Sequence, residues 1–149
     1  MIPSLEDLSD GPVKRIIEFV HSVGKAHNQE VYLVGGFVRD LIRKQDSEDL
    51  DFVVVGSPFT FADQLIEACQ NTLFSIERVK EHSDFGTMTL CVNMENKYSL
   101  KIDVCTSRTE IYEKQAALPI VSPSNTILDD IKRRGIGIIV FGCFKISTK

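Results

Sequence analysis

Hydrophobic positions in the first half of the chain change their spacing several times. Val13, Ile16, Ile17, Val20 and Val23 recur at helical intervals. Ser9-Asp10-Gly11-Pro12 reads as a helix start, a capping side chain followed by a proline suited to the first turn, and Gly24 reads as the stop. A first amphipathic helix is therefore expected over about 12–24. Val31 to Val34 is short and wholly apolar, as a central strand buried on both faces must be, and Gly35-Gly36 ends it. A second helix is expected from about Phe37 to Lys44.

Asp51 to Val55 reads as a second strand, broken by Gly56-Ser57-Pro58. A third helix follows, with Phe61, Leu65, Ile66 and Cys69 on one face. The pattern then turns to strands over Leu73 to Val79, Phe85 to Val92 and Tyr98 to Thr106, with Asn93 to Lys97 as a hairpin connection. A fourth helix is expected from Asp129, where Asp129 with Arg133 and Asp130 with Arg134 fall at i,i+4 spacing. The last stretch, "GIGIIVFGCFKISTK", is apolar and glycine-punctuated and reads as strand. These elements describe a small α/β (α+β) domain, a mixed sheet flanked by helices.

Composition narrows the picture. The chain has 149 residues, 43% hydrophobic and 26% charged, which fits one globular domain with a real core. No apolar run approaches the roughly 18 residues of a membrane helix, and the first residues do not resemble a signal peptide, so a cytoplasmic location is expected. Cys69, Cys91, Cys105 and Cys143 are far apart with no CxxC pair, so they are expected to be reduced thiols, Cys69 on a helix and the others on strands. A net charge of −4 argues against broad, unspecific nucleic-acid binding by this segment.

Candidate chemistry gathers where the first two strands meet. Side chains alternate along a strand, so Asp49 and Asp51 share a face while Leu50 and Phe52 take the other. Two neighbouring carboxylates repel, and a divalent cation with a preference for oxygen ligands relieves that repulsion, which points to Mg²⁺. Gly35 and Gly36 lack a Cβ, so their amides can approach a phosphate together with the N-terminus of the helix expected after them. In "LKIDVCT", Leu100, Ile102 and Val104 form an apolar face with Asp103 opposite, a third carboxylate if that strand lies beside the one bearing Asp51. Three acids, two metal ions and a phosphate loop are the equipment of nucleotidyl transfer. Taken singly, a glycine pair, an acid pair or an exposed acid on a strand is commonplace; their order and spacing carry the reading.

"LVGGFVRDLI", then "EDLDFVVVG", "DFGTMTL" and "IDVCTSRTEIYEKQAALPIVSPSNTILDDIKRR" together resemble the head domain of the bacterial tRNA nucleotidyltransferase and poly(A) polymerase family, class II of the polymerase-β-like nucleotidyltransferases. The resemblance covers about 31–134. It implies a mixed sheet of about five strands, template-independent addition of CMP and AMP to a tRNA 3′ end, ATP and CTP as substrates, and Mg²⁺ as cofactor. By the same resemblance Asp49 and Asp51 are metal ligands, Asp103 is the third acidic position, and Gly36 and Arg39 contact nucleotide phosphates with Gly35 shaping the loop. Arg108 and Arg134 resemble positively charged positions near the nucleotide, where a guanidinium can clamp phosphate, and Asp40 is expected to orient its neighbour Arg39 or to cap structure rather than to bind metal.

After Arg134 the pattern departs from the family: Gly135 stands where an aspartate is expected, and the tail over 135–149 is atypical. The chain is expected to be a single head domain, truncated or frameshifted, without the neck, body and tail domains that select the base and hold tRNA. Two further readings stay open. One is an A-adding enzyme or poly(A) polymerase with the same head; the other is a non-catalytic fragment or binding module needing a partner chain that supplies neck and body.

Overall fold

The computed structural model describes residues 10–35, 50–95, 97–111, 120–123 and 143–145. The helices expected from Phe37 and from Asp129 lie outside these residues.

Helix α1 spans Pro12–Ala26 and buries Ile16, Ile17, Val20 and Val23, four of the five apolar positions of the periodic pattern, with Val13 half-buried against the core. Two features of it differ from expectation. Its N-cap is Gly11, with no side-chain capping bond, and Asp10 instead pairs with Lys14 at 3.2 Å. Gly24 lies within the helix rather than ending it: a Cβ there would come 2.9 Å from Val31 Cγ2, so the missing side chain lets α1 settle against the first strand.

That strand, β1 (Val31–Val34), pairs antiparallel with β2 (Leu50–Val54). Helix α2 (Pro58–Cys69) follows, capped by Ser57, whose hydroxyl accepts the Thr60 amide at 3.2 Å. Then come β3 (Ser75–His82), a 3₁₀ turn over Ser83–Phe85, β4 (Thr87–Asn93) and β5 (Ser99–Thr106). The expected strand from Leu73 thus begins two residues later, and Phe85 belongs to the turn, whose left-handed Gly86 (φ 62°) leads into β4. A short hairpin of β6 (Arg108–Ile111) with β7 (Ile120–Pro123), which the hydrophobic pattern did not signal, forms a separate two-stranded sheet. In the tail, strand character is realised in β8 (Cys143–Lys145), paired antiparallel with β1.

The main sheet runs β3-β4-β5-β2-β1-β8. Its first five members form the mixed sheet expected, and β8 extends it at the β1 edge. Every neighbouring pair is antiparallel except β2 with β5, which are parallel and connected through α2 and the β3–β4 hairpin. One face carries the core: Leu33, Leu50, Phe52, Val54, Leu90, Val92, Leu100, Ile102 and Val104 pack with the apolar sides of α1 and α2. Burial of this apolar area, at about 25 cal/mol per Å², is the main source of stability.

At the carboxyl ends of β2 and β5 the strands are tied together. The Ser107 amide donates to Val54 O at 2.8 Å, the Thr106 amide to Gly86 O at 2.9 Å, and the Thr106 hydroxyl to Gly56 O at 2.8 Å. Cys69, Cys91 and Cys105 are free thiols, and Cys143 lies on β8, matching the expected placement of all four on one helix and three strands. Among the described residues no helix is long and apolar enough to cross a membrane.

Candidate active site

The face of the sheet opposite α1 and α2 is divided between a small apolar cluster and a pair of acids. Tyr32, Val34, Val53 and Cys105 form the cluster, with Val55 packed beside it. Asp51 and Asp103 occupy the same face, one position before Val53 and Cys105 respectively in the alternation. Asp51 is the register partner of Asp103 in the parallel β2–β5 pair. Adjacent strands lie about 4.8 Å apart, so the two carboxylates stand side by side and both are part-exposed. The condition posed for Asp103, that its strand lie beside that of Asp51, is met.

Gly35 completes the arrangement from the neighbouring strand. It follows β1, and Val34 is the partner of Asp51, so the turn begins directly beside that carboxylate. Its φ of +83° is left-handed, and a Cβ at this position would lie 3.1 Å from Asp51 Oδ2. The left-handed backbone favours glycine here, and a Cβ would crowd the Asp51 carboxylate, which would have to give by a few tenths of an ångström.

On the other side of Asp103 stands Thr89 of β4, its register partner in the antiparallel β4–β5 pair. The Thr89 hydroxyl donates to Asp103 Oδ1 at 2.5 Å. Sequence reasoning did not single out Thr89. The signal lay in "DFGTMTL", where Met88 and Leu90 point to the core and threonines take the alternate positions.

Of the other expected site residues, Asp49, Gly36, Arg39 and Arg134 lie outside the described residues. Arg108 opens β6, immediately after the Ser107 tie at the end of β5. Among the described residues two carboxylates meet at the site, and no group of three or more histidine, cysteine, aspartate or glutamate side chains forms. The donor set is one of hard carboxylate oxygens: the nearby thiol of Cys105 is buried and donates to Phe52 O at 3.4 Å. Oxygen donors without thiolate suit a hard divalent cation rather than a softer metal.

The poly(A) polymerase head-domain model matches residues 31–140, from the first strand through the acid pair into the tail. The chain belongs to the poly(A) polymerase head-domain family. Relatives of this head domain include the A-adding tRNA nucleotidyltransferase of Geobacter sulfurreducens, 34% identical over 82% of the chain and 13% of that protein. The A-adding tRNA nucleotidyltransferase of Halalkalibacterium halodurans is 37% identical over 72% of the chain and 23% of its own length. The chain thus spans less than a quarter of either relative. Among solved structures, the apo form II of a CCA-adding enzyme superposes with a TM-score of 0.64, at 28% identity over 85% of this chain and 27% of that one. A CCA-adding enzyme in complex with ATP superposes with a TM-score of 0.53, at 30% identity over 70% of this chain and 22% of the other.

Proposed function

We propose that the chain is the catalytic head of a metal-dependent nucleotidyltransferase that extends the 3′ end of tRNA without a template and acts in the cytoplasm. The observation that carries this reading is the register of Asp51 against Asp103, with the left-handed Gly35 turn directly beside Asp51. Family membership and the names of the relatives support the reaction class.

In this reading Asp51 and Asp103 would hold Mg²⁺, joined by Asp49, which sequence alternation assigns to the same side of its strand as Asp51. The bound metal supplies charge neutralisation on the triphosphate and activation of the attacking hydroxyl. The residues of the chain do the rest. Gly35 opens space for phosphate beside Asp51, and Gly36 and Arg39 bind the triphosphate tail of ATP or CTP. Arg108 and Arg134 add guanidinium clamps to it. Thus held, the nucleotide presents its α-phosphorus to the 3′-hydroxyl of the RNA; the new P–O bond forms as the bond to pyrophosphate breaks.

The curated relatives at 34% and 37% identity are named A-adding tRNA nucleotidyltransferases, which supports AMP as the residue added. The test is incorporation of labelled ATP and CTP into tRNA lacking only its terminal adenosine and into tRNA lacking its last three nucleotides. AMP incorporation on the first substrate alone is expected. CMP incorporation on the second identifies a CCA-adding head, and binding of neither nucleotide in the presence of Mg²⁺ overturns the reading.

A further inference from the structure

We infer that Thr89 is a positioning residue for this site: its hydroxyl holds the Asp103 carboxylate in the orientation that receives a divalent cation. The inference rests on the nucleotidyltransferase reading above and adds to it a residue on a third strand.

Strand β4 sends Met88, Leu90 and Val92 into the core and Thr87, Thr89 and Cys91 to the opposite face. Thr89 is buried, with 6% of the residue's surface exposed. A valine would fill nearly the same volume and suit a strand at least as well. A hydroxyl in such a place is unfavourable unless it is hydrogen-bonded, and here its partner is Asp103 Oδ1 at 2.5 Å. That distance lies at the short end of the range for a hydroxyl donating to a carboxylate, which is among the stronger protein hydrogen bonds.

Two constraints make the contact directional. Thr89 and Asp103 are direct partners in the antiparallel register, so their Cα positions are set by the ladder. Threonine is also branched at Cβ, which restricts χ1 and lets the hydroxyl meet its acceptor with little loss of rotamer freedom. Asp103 is thereby gripped through Oδ1 from β4 while Asp51 stands on its other side in β2. A carboxylate whose rotation is fixed by a neighbour can meet a cation without first being ordered. Loss of an outer-shell partner of this type typically costs about 10–100-fold in metal affinity or activity.

The test is Mn²⁺ titration of the 149-residue chain in the presence of ATP, by calorimetry or by electron paramagnetic resonance, with thermal unfolding measured alongside. Thr89→Val is expected to weaken Mn²⁺ binding about tenfold or more. Thr89→Ser, which retains the donor, should recover most of that loss. In an Asp103→Asn background, Thr89→Val should have no further effect on Mn²⁺ affinity, because the carboxylate it positions is gone. Should Thr89→Val fail to fold, Thr89→Ala removes the hydroxyl without adding a methyl against the carboxylate and carries the same expectations. Wild-type affinity in the hydroxyl-free variant, or an equal loss in the Asp103→Asn background, overturns the inference while leaving the nucleotidyltransferase reading intact. Absence of Mn²⁺ binding by the unaltered chain overturns both.

Discussion

The two faces of the β2–β5 pair are built from alternate residues of the same ten-odd positions, yet they differ in almost every respect. On the helix side Leu50, Phe52, Val54, Leu100, Ile102 and Val104 are each at most 3% exposed and belong to one continuous core. On the other side Asp51 and Asp103 are part-exposed acids, flanked by a small apolar cluster and by the Thr89 hydroxyl. The helix side uses the strands for cohesion. The acid side sets two part-exposed carboxylates next to each other, the arrangement on which the proposed uptake of a cation rests.

If that division holds, substitutions one residue apart should separate stability from binding. Phe52→Ala removes a fully buried ring from the core and should cost about 3–5 kcal/mol of unfolding free energy, measured by urea denaturation. A loss much below that would mean the helix-side core is less tightly packed than its burial indicates. Gly35→Ala straddles the comparison, because it strains the backbone and intrudes on Asp51. It should cost about 1–2 kcal/mol through the left-handed φ alone. It should also weaken nucleotide binding more than its effect on stability accounts for, since the new methyl would sit 3.1 Å from Asp51 Oδ2 unless one of them moves. Calorimetric titration with ATP, together with a melting curve, checks both. Ser57→Ala touches neither face and removes only the cap of α2. A stability loss of about 1 kcal/mol with unaltered nucleotide binding is expected.

Much of this comparison was legible in the sequence. The alternation of Leu50, Asp51 and Phe52, and of Ile102, Asp103 and Val104, assigns each acid to the face away from the core, and the structure agrees. What alternation cannot supply is the neighbour relation between two strands separated by a helix and a hairpin. Sequence established that Asp103 would meet Asp51 if the strands were adjacent; the parallel register supplied the adjacency. The misreading of Gly24 has a similar cause. Glycine near the end of a helical pattern usually marks a stop, but here the deciding contact comes from Val31 in another element. Gly11 took the cap that Ser9 or Asp10 was expected to provide, with Pro12 at the first turn making the helix start there without a side-chain acceptor.

Thr89 was missed because a threonine in a strand is unremarkable on propensity grounds, and its partner lies on the far side of the β4–β5 hairpin. Gly86 shows the same long-range dependence. Its left-handed turn suits a glycine on local grounds, but the second reason is distant: a Cβ there would lie 2.6 Å from Thr106 Cγ2, in the tie that joins the ends of β4 and β5. Local pattern thus identified the elements and the faces, while close approaches between elements decided which small or polar residues were needed.

The most direct test of the acid pair is calorimetric titration of the chain with ATP, with and without Mg²⁺, beside the variant carrying both Asp51→Asn and Asp103→Asn. ATP binding that requires Mg²⁺, is lost in the variant and leaves the melting temperature near that of the unaltered chain is the predicted result. Binding of equal strength without metal, retained by the double variant, would contradict it.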